Sequence, residues 1–125
     1  MNAPRFVVHE HHARRLHFDF RLEMDGTLRN WAVPKGAPER VGDRRLAVQV
    51  EDHPLSYIDF AGVIPEGQYG AGTVAIWDHG TYTLEKRTDD ELAFTLHGER
   101  LRGPYALIHM ARRPNDWLFI KRREE

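Results

Sequence analysis

Eight consecutive residues near the N-terminus alternate apolar and polar side chains, and this run constrains the fold more strongly than any other part of the chain. It covers residues 16–23 and reads Leu-His-Phe-Asp-Phe-Arg-Leu-Glu. Because successive side chains of a β-strand point to opposite faces, we expect a strand whose apolar members all face a core. The other face then carries His17, Asp19, Arg21 and Glu23. An imidazole, a carboxylate and a guanidinium spaced about 7 Å apart on one face favour the wall of a site over a solvated surface.

Length and composition predict one domain, residues 1–125. A chain of this length buries roughly two-thirds of its unfolded surface, which is enough to fold without disulfides or structural metals. The sequence has no cysteine, so no disulfide and no thiolate metal site can form. No apolar run reaches about 18 residues, and no signal-peptide core is found at the N-terminus. We therefore expect no membrane span and a cytoplasmic location.

The charge is unevenly distributed although its sum is small. The formal net charge is -1, which predicts no basic field over the whole surface. Basic residues instead form short clusters, at 14–15, 44–45, 112–113 and 121–123. Local contacts with nucleic acid therefore remain open.

Strand signals dominate the chain, and no amphipathic helix is indicated. Asp25-Gly26 is a two-residue hairpin signal between strands 16–24 and 27–33. Asp78-His79-Gly80 predicts a second hairpin, between 73–77 and 81–86. Further strands are predicted at 45–53, 92–96, 105–110 and 117–121, with a short helix near 56–60. About eight short strands at regular spacing predict an all-β fold, an antiparallel barrel or sandwich with at most one or two short helices.

His11, His17 and Asp19 form a candidate set of metal ligands. Two imidazole nitrogens and one carboxylate oxygen suit Mn²⁺, Fe²⁺ or Zn²⁺ and leave coordination positions open for substrate and water. The alternative is a surface pair of His17 and Asp19, with His11 in a solvated loop. The residues alone leave both interpretations open.

A second alternating strand, 45–53, carries three further candidates. One face is expected to hold Leu46, Val48 and Val50, and the other Arg45, Gln49, Glu51 and His53. Sheet closure would bring Arg45, Glu51 and His53 opposite the polar face of the first strand. Two arginines beside a cation can then cradle a phosphate, because guanidinium groups pair with phosphate oxygens bidentately. The alternative is that Arg45 and Glu51 form ordinary exterior ion pairs.

Several other features receive structural interpretations. Residues 67–72, Gly-Gln-Tyr-Gly-Ala-Gly, match no phosphate-binding loop and precede a strand, so we interpret them as a turn at the rim of the site. Tyr57 is either a core aromatic residue or a hydroxyl donor to an oxyanion, and Lys35 is interpreted as a solvated loop lysine. The remaining histidines are interpreted as structural: His9, His12, His79, His97 and His109.

Taken together, these residues resemble a known family. Five ordered blocks, spread from about Phe6 to Lys121, resemble the 3′-phosphoesterase module of bacterial and archaeal DNA ligase D and its free-standing relatives. The blocks are His-His-Ala-Arg-Arg-Leu-His-Phe-Asp-Phe-Arg-Leu-Glu at 11–23, Trp-Ala-Val-Pro-Lys-Gly at 31–36, Arg-Leu-Ala-Val at 45–48, Val-Glu-Asp-His-Pro-Leu at 50–55 and Ile-Pro-Glu-Gly-Gln-Tyr-Gly-Ala-Gly-Thr at 64–73. The resemblance implies a closed antiparallel β-barrel of about eight strands.

The resemblance also implies an activity. Members of this family use Mn²⁺ to remove a 3′-terminal ribonucleoside from DNA as a phosphodiesterase, and then the remaining 3′-phosphate as a phosphomonoesterase. It implies Mn²⁺ as the cofactor here, with Co²⁺ or Zn²⁺ as other divalent ions, and DNA 3′ ends on a primer–template as the substrate. Its setting would be non-homologous end joining in a prokaryotic nucleoid, with separate ligase, polymerase and Ku-type proteins as partners. We expect the chain to begin almost at the barrel, without the N-terminal arm of the ligase D module.

Residue by residue, the resemblance implies three groups. The manganese ligands would be His11, His17 and Asp19. The groups that hold and activate the scissile phosphate would be Arg21, His53 and Tyr57. Supporting positions for some substrates would be Lys35, Arg45 and Glu51.

Two other classes of function remain as alternatives. A mononuclear Fe²⁺ oxygenase also uses an H-x-D…H ligand set, which here would be His17, Asp19 and His53. A non-catalytic nucleic-acid binding module is the other. It predicts that His17→Ala leaves binding intact and that no divalent metal supports turnover.

Overall fold

The computed structural model describes residues 3–124, which form nine β-strands and one short 3₁₀ helix. The strands are β1 Arg5–His12, β2 Leu16–Met24, β3 Thr27–Val33, β4 Arg44–His53, β5 Gly62–Ile64, β6 Gly72–Arg87, β7 Glu91–Gly98, β8 Arg102–His109 and β9 Asp116–Lys121. The helix, Leu55–Asp59, lies between β4 and β5 and confirms the short helix expected near 56–60. Within the described residues, no helix has the length and apolar character needed to cross a membrane.

The strands close into an antiparallel barrel. Eight of them follow one another in the order β1-β2-β3-β4-β9-β8-β7-β6, and β6 pairs back with β1. The short strand β5 adds to the first residues of β6. This closure confirms the expected all-β barrel of about eight strands with at most one or two short helices.

The alternating run in β2 separates a core face from a polar face, as expected. Phe20 and Leu22 are fully buried in the barrel interior, and Phe6 and Val8 of β1 join them there. Leu16 is the exception, because it begins the strand at the end of the barrel and remains 50 % exposed. The expectation that all four apolar members of the run face the core is therefore wrong for Leu16.

The hairpin at Asp25-Gly26 is confirmed. Met24 pairs with Thr27, so the loop contains only these two residues. Both adopt positive φ angles, 57° for Asp25 and 80° for Gly26. Such angles are typical of the two-residue turns whose twist matches the adjoining strands.

The hairpin predicted at residues 78–80 is wrong, because β6 runs through them as one 16-residue strand. The Asp78 side chain is buried, and its carboxylate accepts hydrogen bonds from the backbone N–H groups of Glu99, Arg100 and Leu101. Gly80 lies so close to β7 that a Cβ atom would stand 2.2 Å from the carbonyl oxygen of His97. Asp78 thus stabilises the turn between β7 and β8, and Gly80 permits close pairing with β7.

Strand β1 was not among the predicted strands. Its second half, His-Glu-His-His, is polar and shows no core pattern of its own. It nevertheless pairs with β6 along its whole length and with β2 from Phe6 onward. Val7, His9 and His11 consequently lie on the opposite face from Phe6 and Val8, beside the polar face of β2.

Candidate active site

The candidate site lies on the outer face of the barrel, where β1 and β2 are neighbours. His11 pairs directly with His17, and His9 pairs with Asp19. Directly paired residues of an antiparallel sheet hold their side chains about 5 Å apart on one face. Pairing therefore brings together residues from both strands that alternate with core residues.

The three predicted metal ligands converge. The His11 Nδ1 atom lies 3.2 Å from His17 Nε2 and 3.7 Å from Asp19 Oδ2, and His17 Nε2 lies 3.4 Å from Asp19 Oδ2. Ligand atoms about 2.1 Å from a shared ion would be separated by about 3.0–3.5 Å. Within the described part of the chain, these three residues form the one group of His, Asp or Glu side chains whose ligand atoms lie close enough together to hold a metal ion. His53 is not a member, so the ligand set of the oxygenase alternative is not assembled.

Backbone carbonyl groups orient both imidazoles toward this point. His11 Nε2 donates a hydrogen bond of 2.7 Å to the carbonyl oxygen of Gly70, and His17 Nδ1 donates one of 3.2 Å to that of Arg15. In each ring the nitrogen that faces Asp19 is then free to act as a ligand. Such carbonyl partners are typical of metal-bound histidines. Two imidazole nitrogens and a carboxylate oxygen therefore fit a divalent transition-metal ion.

The electrostatic surroundings keep Asp19 ionised. Burial raises the pKa of its carboxyl group, but the hydrogen bond with His17 and the charge of Arg21 hold it below the ordinary value. The same hydrogen bond raises the pKa of His17. A metal ion requires a deprotonated carboxylate, so the lowered pKa of Asp19 suits a ligand, whereas His17 must lose the proton that it shares with Asp19 before its Nε2 can bind a metal.

Arg21 lies beside the triad with one donor unused. The side chain is nearly fully buried; its Nη2 donates to Asp19 Oδ2 at 3.3 Å and its Nε donates to His9 Nδ1 at 2.9 Å. The Nη1 atom is buried and has no hydrogen-bond partner among the described residues. A buried donor left unsatisfied costs about 1–3 kcal/mol, and more when charged. A bound oxyanion is the natural acceptor for it, because guanidinium groups form strong hydrogen bonds with phosphate oxygens.

His9 and Asn30 belong to this site, although sequence analysis interpreted His9 as structural and did not single out Asn30. His9 is fully buried and donates from Nε2 to the carbonyl oxygen of Phe60 at 2.9 Å. Burial and the neighbouring Arg21 lower the pKa of His9 to about 4. Asn30 pairs with Arg21 across β2 and β3, is also buried, and has no partner for Oδ1 among the described residues. Both residues alternate with core residues along their strands, and this pattern in the sequence could have placed them in the site.

His53 reaches the outer face because of a β-bulge. Asn30 pairs with Val50, whereas Leu28 pairs with His53, so β4 contains one extra residue between these pairs. The extra residue reverses the alternation. The His53 ring then stacks on Tyr57 with 4.9 Å between ring centroids. Burial and the charge of Arg21 lower the pKa of His53.

Arg45 lies before the bulge and therefore on the other face from His53. It lies two residues before Ala47, on the same face of the strand as this fully buried core residue, and its Nη2 lies 3.6 Å from Asp43 Oδ2. Leu46 and Val50, which were expected together on the apolar face of this strand, are 44% and 40% exposed. The expectation that Arg45 and His53 share a face is thus wrong.

Tyr57 joins the site through its ring. It lies on the 3₁₀ helix, and its ring centroid is 4.8 Å from the guanidinium carbon of Arg21. Burial raises the pKa of its hydroxyl group. Lys35 and Glu51 are both exposed, and the carbonyl oxygen of Glu51 accepts a 3.4 Å hydrogen bond from Asn30 Nδ2. The structure brings together six of the nine predicted residues and leaves Lys35, Arg45 and Glu51 outside their contacts.

Comparison with known proteins shows the family to which the chain is similar. Residues 9–109 match the family model of the DNA ligase D 3′-phosphoesterase domain. The chain is 57% identical over 107 residues to the multifunctional non-homologous end joining protein LigD of Mycobacterium bovis, an alignment that covers 82% of this chain and 14% of that protein. It is 47% identical over 135 residues to LigD of Mycolicibacterium smegmatis (99% of this chain, 18% of that protein). It is 48% identical over 130 residues to LigD of Pseudomonas aeruginosa (96% and 15%). The chain thus spans less than a fifth of these relatives, and it belongs to the DNA ligase D 3′-phosphoesterase domain family.

Proposed function

We propose that this chain is a divalent-metal-dependent 3′-phosphoesterase that heals the 3′ ends of DNA breaks. With Mn²⁺ it would remove a 3′-terminal ribonucleoside as a phosphodiesterase and a 3′-phosphate as a phosphomonoesterase. The observation that carries the proposal is the buried Arg21, whose Nη1 has no partner among the described residues and lies beside the convergent ligands His11, His17 and Asp19. Membership of the family supports the reaction class.

The chemistry divides between the ion and the protein. His11, His17 and Asp19 would hold a divalent ion, which would supply Lewis acidity toward a phosphate oxygen and lower the pKa of a bound water. Arg21 binds the phosphate and stabilises the negative charge that its oxygens carry in the transition state. A 3.3 Å hydrogen bond from Arg21 to Asp19 holds the guanidinium beside the metal ligands.

His53 and Tyr57 complete the phosphate site in this proposal. His53 either protonates the leaving oxygen or donates a hydrogen bond to the phosphate, and both roles require it on the outer face where the bulge places it. The Tyr57 hydroxyl stays protonated and donates to the phosphate, while its ring packs against both Arg21 and His53. Lys35, Arg45 and Glu51 would act on more distant parts of some substrates.

The proposal places the activity in non-homologous end joining, which is the process named for the relatives. Separate ligase, polymerase and Ku-type proteins would act before or after it. Because the net charge is only -1, we expect modest DNA affinity that depends on local arginine and lysine contacts. Such affinity falls as salt rises.

The test is an end-processing assay. The protein is incubated with Mn²⁺ and a 5′-labelled primer–template that ends in either a ribonucleotide or a 3′-phosphate. We expect shortening or dephosphorylation of the 3′ end, loss of both with EDTA, and loss of both in Asp19→Asn, with Asp89→Asn as the matched exposed control. If neither terminus changes with any divalent ion, the proposal fails. Anaerobic incubation with Fe²⁺ and 2-oxoglutarate tests the oxygenase alternative separately.

A further inference from the structure

We propose that His9 is a positioning residue that holds Arg21 in the orientation needed to bind the scissile phosphate. This inference rests on the proposed phosphoesterase function. His9 pairs with Asp19 across β1 and β2, yet it does not belong to the group of convergent metal ligands. Its side chain instead forms hydrogen bonds with Arg21 and with the backbone just after the 3₁₀ helix.

The two hydrogen bonds of His9 define which nitrogen carries the proton. The carbonyl oxygen of Phe60 can only accept, so His9 Nε2, at 2.9 Å, is the donor. Arg21 can only donate, so His9 Nδ1, also at 2.9 Å, is the acceptor for Arg21 Nε. A neutral imidazole with its proton on Nε2 satisfies both partners at once.

These contacts fix the plane of the Arg21 guanidinium. A guanidinium is rigid and planar, so two anchored nitrogens determine the position of the third. Nε is anchored by His9 and Nη2 by Asp19, which leaves Nη1 as the donor without a partner in the described part of the chain. Without His9 the guanidinium keeps one hydrogen bond, the 3.3 Å contact with Asp19, and can turn about it while it packs on the Tyr57 ring.

His9 also connects Arg21 to the helix that carries Tyr57. Phe60 ends that helix, its N–H donates to the carbonyl oxygen of Tyr57 at 3.0 Å, and its ring stacks on Tyr57 with 4.9 Å between centroids. The Tyr57 ring in turn packs on the Arg21 guanidinium. His9 therefore sets the relative position of two groups that the proposed mechanism places on the phosphate.

The experiment compares two substitutions of His9 with a matched control. His9→Leu removes the acceptor and the donor at similar size, whereas His9→Gln supplies one carbonyl oxygen and one amide N–H in their place. His97→Leu makes the same change at an exposed histidine whose polar contact is with Thr83. Thermal unfolding, Mn²⁺ affinity, and kcat and KM on the 3′-phosphate primer–template are measured for each.

We expect kcat of His9→Leu to fall about 10- to 100-fold, with Mn²⁺ affinity and KM changed by less than about threefold. His9→Gln should recover most of the loss, and His97→Leu should match the wild type. Equal activity of the leucine variant and the wild type would overturn the inference, as would a loss that only follows Mn²⁺ affinity. A wild-type protein without turnover contradicts the phosphoesterase function instead.

A measurement on the wild type keeps the inference testable if His9→Leu does not fold. In ¹⁵N NMR spectra, we expect His9 to be protonated on Nε2 only and the Arg21 Nε–H to exchange slowly with water. A proton on Nδ1 of His9, or an Arg21 Nε–H that exchanges as fast as those of exposed arginines, overturns the inference whatever the activity.

Discussion

His11 and Gly70 are 59 residues apart in the sequence, yet the His11 Nε2 atom donates a hydrogen bond of 2.7 Å to the Gly70 carbonyl oxygen. The bond joins a proposed metal ligand on β1 to the loop that follows β5. It leaves His11 Nδ1 directed at Asp19 as the potential metal ligand. The glycine-rich loop, interpreted from the sequence as a turn at the rim of the site, thus also orients a ligand of that site.

Gly70→Ala should weaken metal binding. Gly70 has a φ of +77°, and an added Cβ atom would stand 3.4 Å from His11 Cε1. Left-handed backbone costs an alanine about 1–2 kcal/mol, and relief of that strain would move the carbonyl group that orients His11. We expect about a tenfold loss of Mn²⁺ affinity by calorimetric titration.

Gly67→Ala is the control for this change. Gly67 has a φ of +86°, and an added Cβ atom would meet nothing within 4 Å. It therefore imposes similar backbone strain without a neighbour in the site. If both variants lose the same Mn²⁺ affinity, the orienting role of Gly70 is contradicted.

Arg21→Lys should lower kcat strongly while Mn²⁺ affinity stays near that of the wild type. Lysine keeps the charge but lacks the planar fork that contacts Asp19, His9 and a phosphate together. We expect kcat on the 3′-phosphate primer–template to fall about 100-fold or more. Arg45→Lys, at an arginine paired with Asp43, should have a much smaller effect. Similar losses in the two variants would argue against a special role for Arg21.

Asp78→Asn should destabilise the barrel despite its equal size. The two carboxylate oxygens of Asp78 accept three backbone N–H groups, so an asparagine amide would face at least one donor in either orientation. We expect a loss of about 2 kcal/mol in the free energy of unfolding by urea, and less than about 0.5 kcal/mol for the exposed Asp89→Asn. A loss as small as that of Asp89→Asn would show that these hydrogen bonds contribute little.

His109 should make stability depend on pH. Its two ring nitrogens face Asp90 Oδ1 at 3.0 Å and the carbonyl oxygen of Pro114 at 2.9 Å, and the hydrogen bond with Asp90 raises the pKa of His109. A raised folded-state pKa contributes stability that is fully present below the unfolded value of about 6.5. That stability is lost as pH rises through the folded-state pKa.

The measurement is an NMR titration of His109 in the wild type and in Asp90→Asn. We expect a lower pKa for His109 in the variant, and no change in Asp89→Asn. An unchanged pKa in Asp90→Asn would show that the contact with Asp90 does not persist in solution.

Local patterns predicted the parts of the fold that depend on local rules. The strand through Phe20 and Leu22 and the turn at Asp25-Gly26 could be predicted because strand faces and two-residue turns depend on residues that are close together in the sequence. The hairpin prediction at Asp78 was wrong because it too relied on a local pattern. An Asp near a glycine marks a local turn, whereas here its carboxylate binds the backbone of residues 99–101, more than twenty positions away.

The convergence of the site could be predicted only in part. His11, His17 and Asp19 follow from alternation once β1 is known to pair with β2, and strand pairing is not a local property. The bulge that separates Arg45 from His53 depends on the register of β4 against β3, which the sequence of β4 does not reveal. His9 was overlooked because its partner Arg21 becomes apparent only when the register is known.

The most direct test of the account is the location of Mn²⁺ by anomalous diffraction from crystals grown with the ion and a 3′-phosphate oligonucleotide. We predict one ion bound by His11 Nδ1, His17 Nε2 and Asp19 Oδ2, with a phosphate oxygen bonded to Arg21 Nη1. An ion whose protein ligands include His53, or a phosphate that does not contact Arg21, would contradict the account.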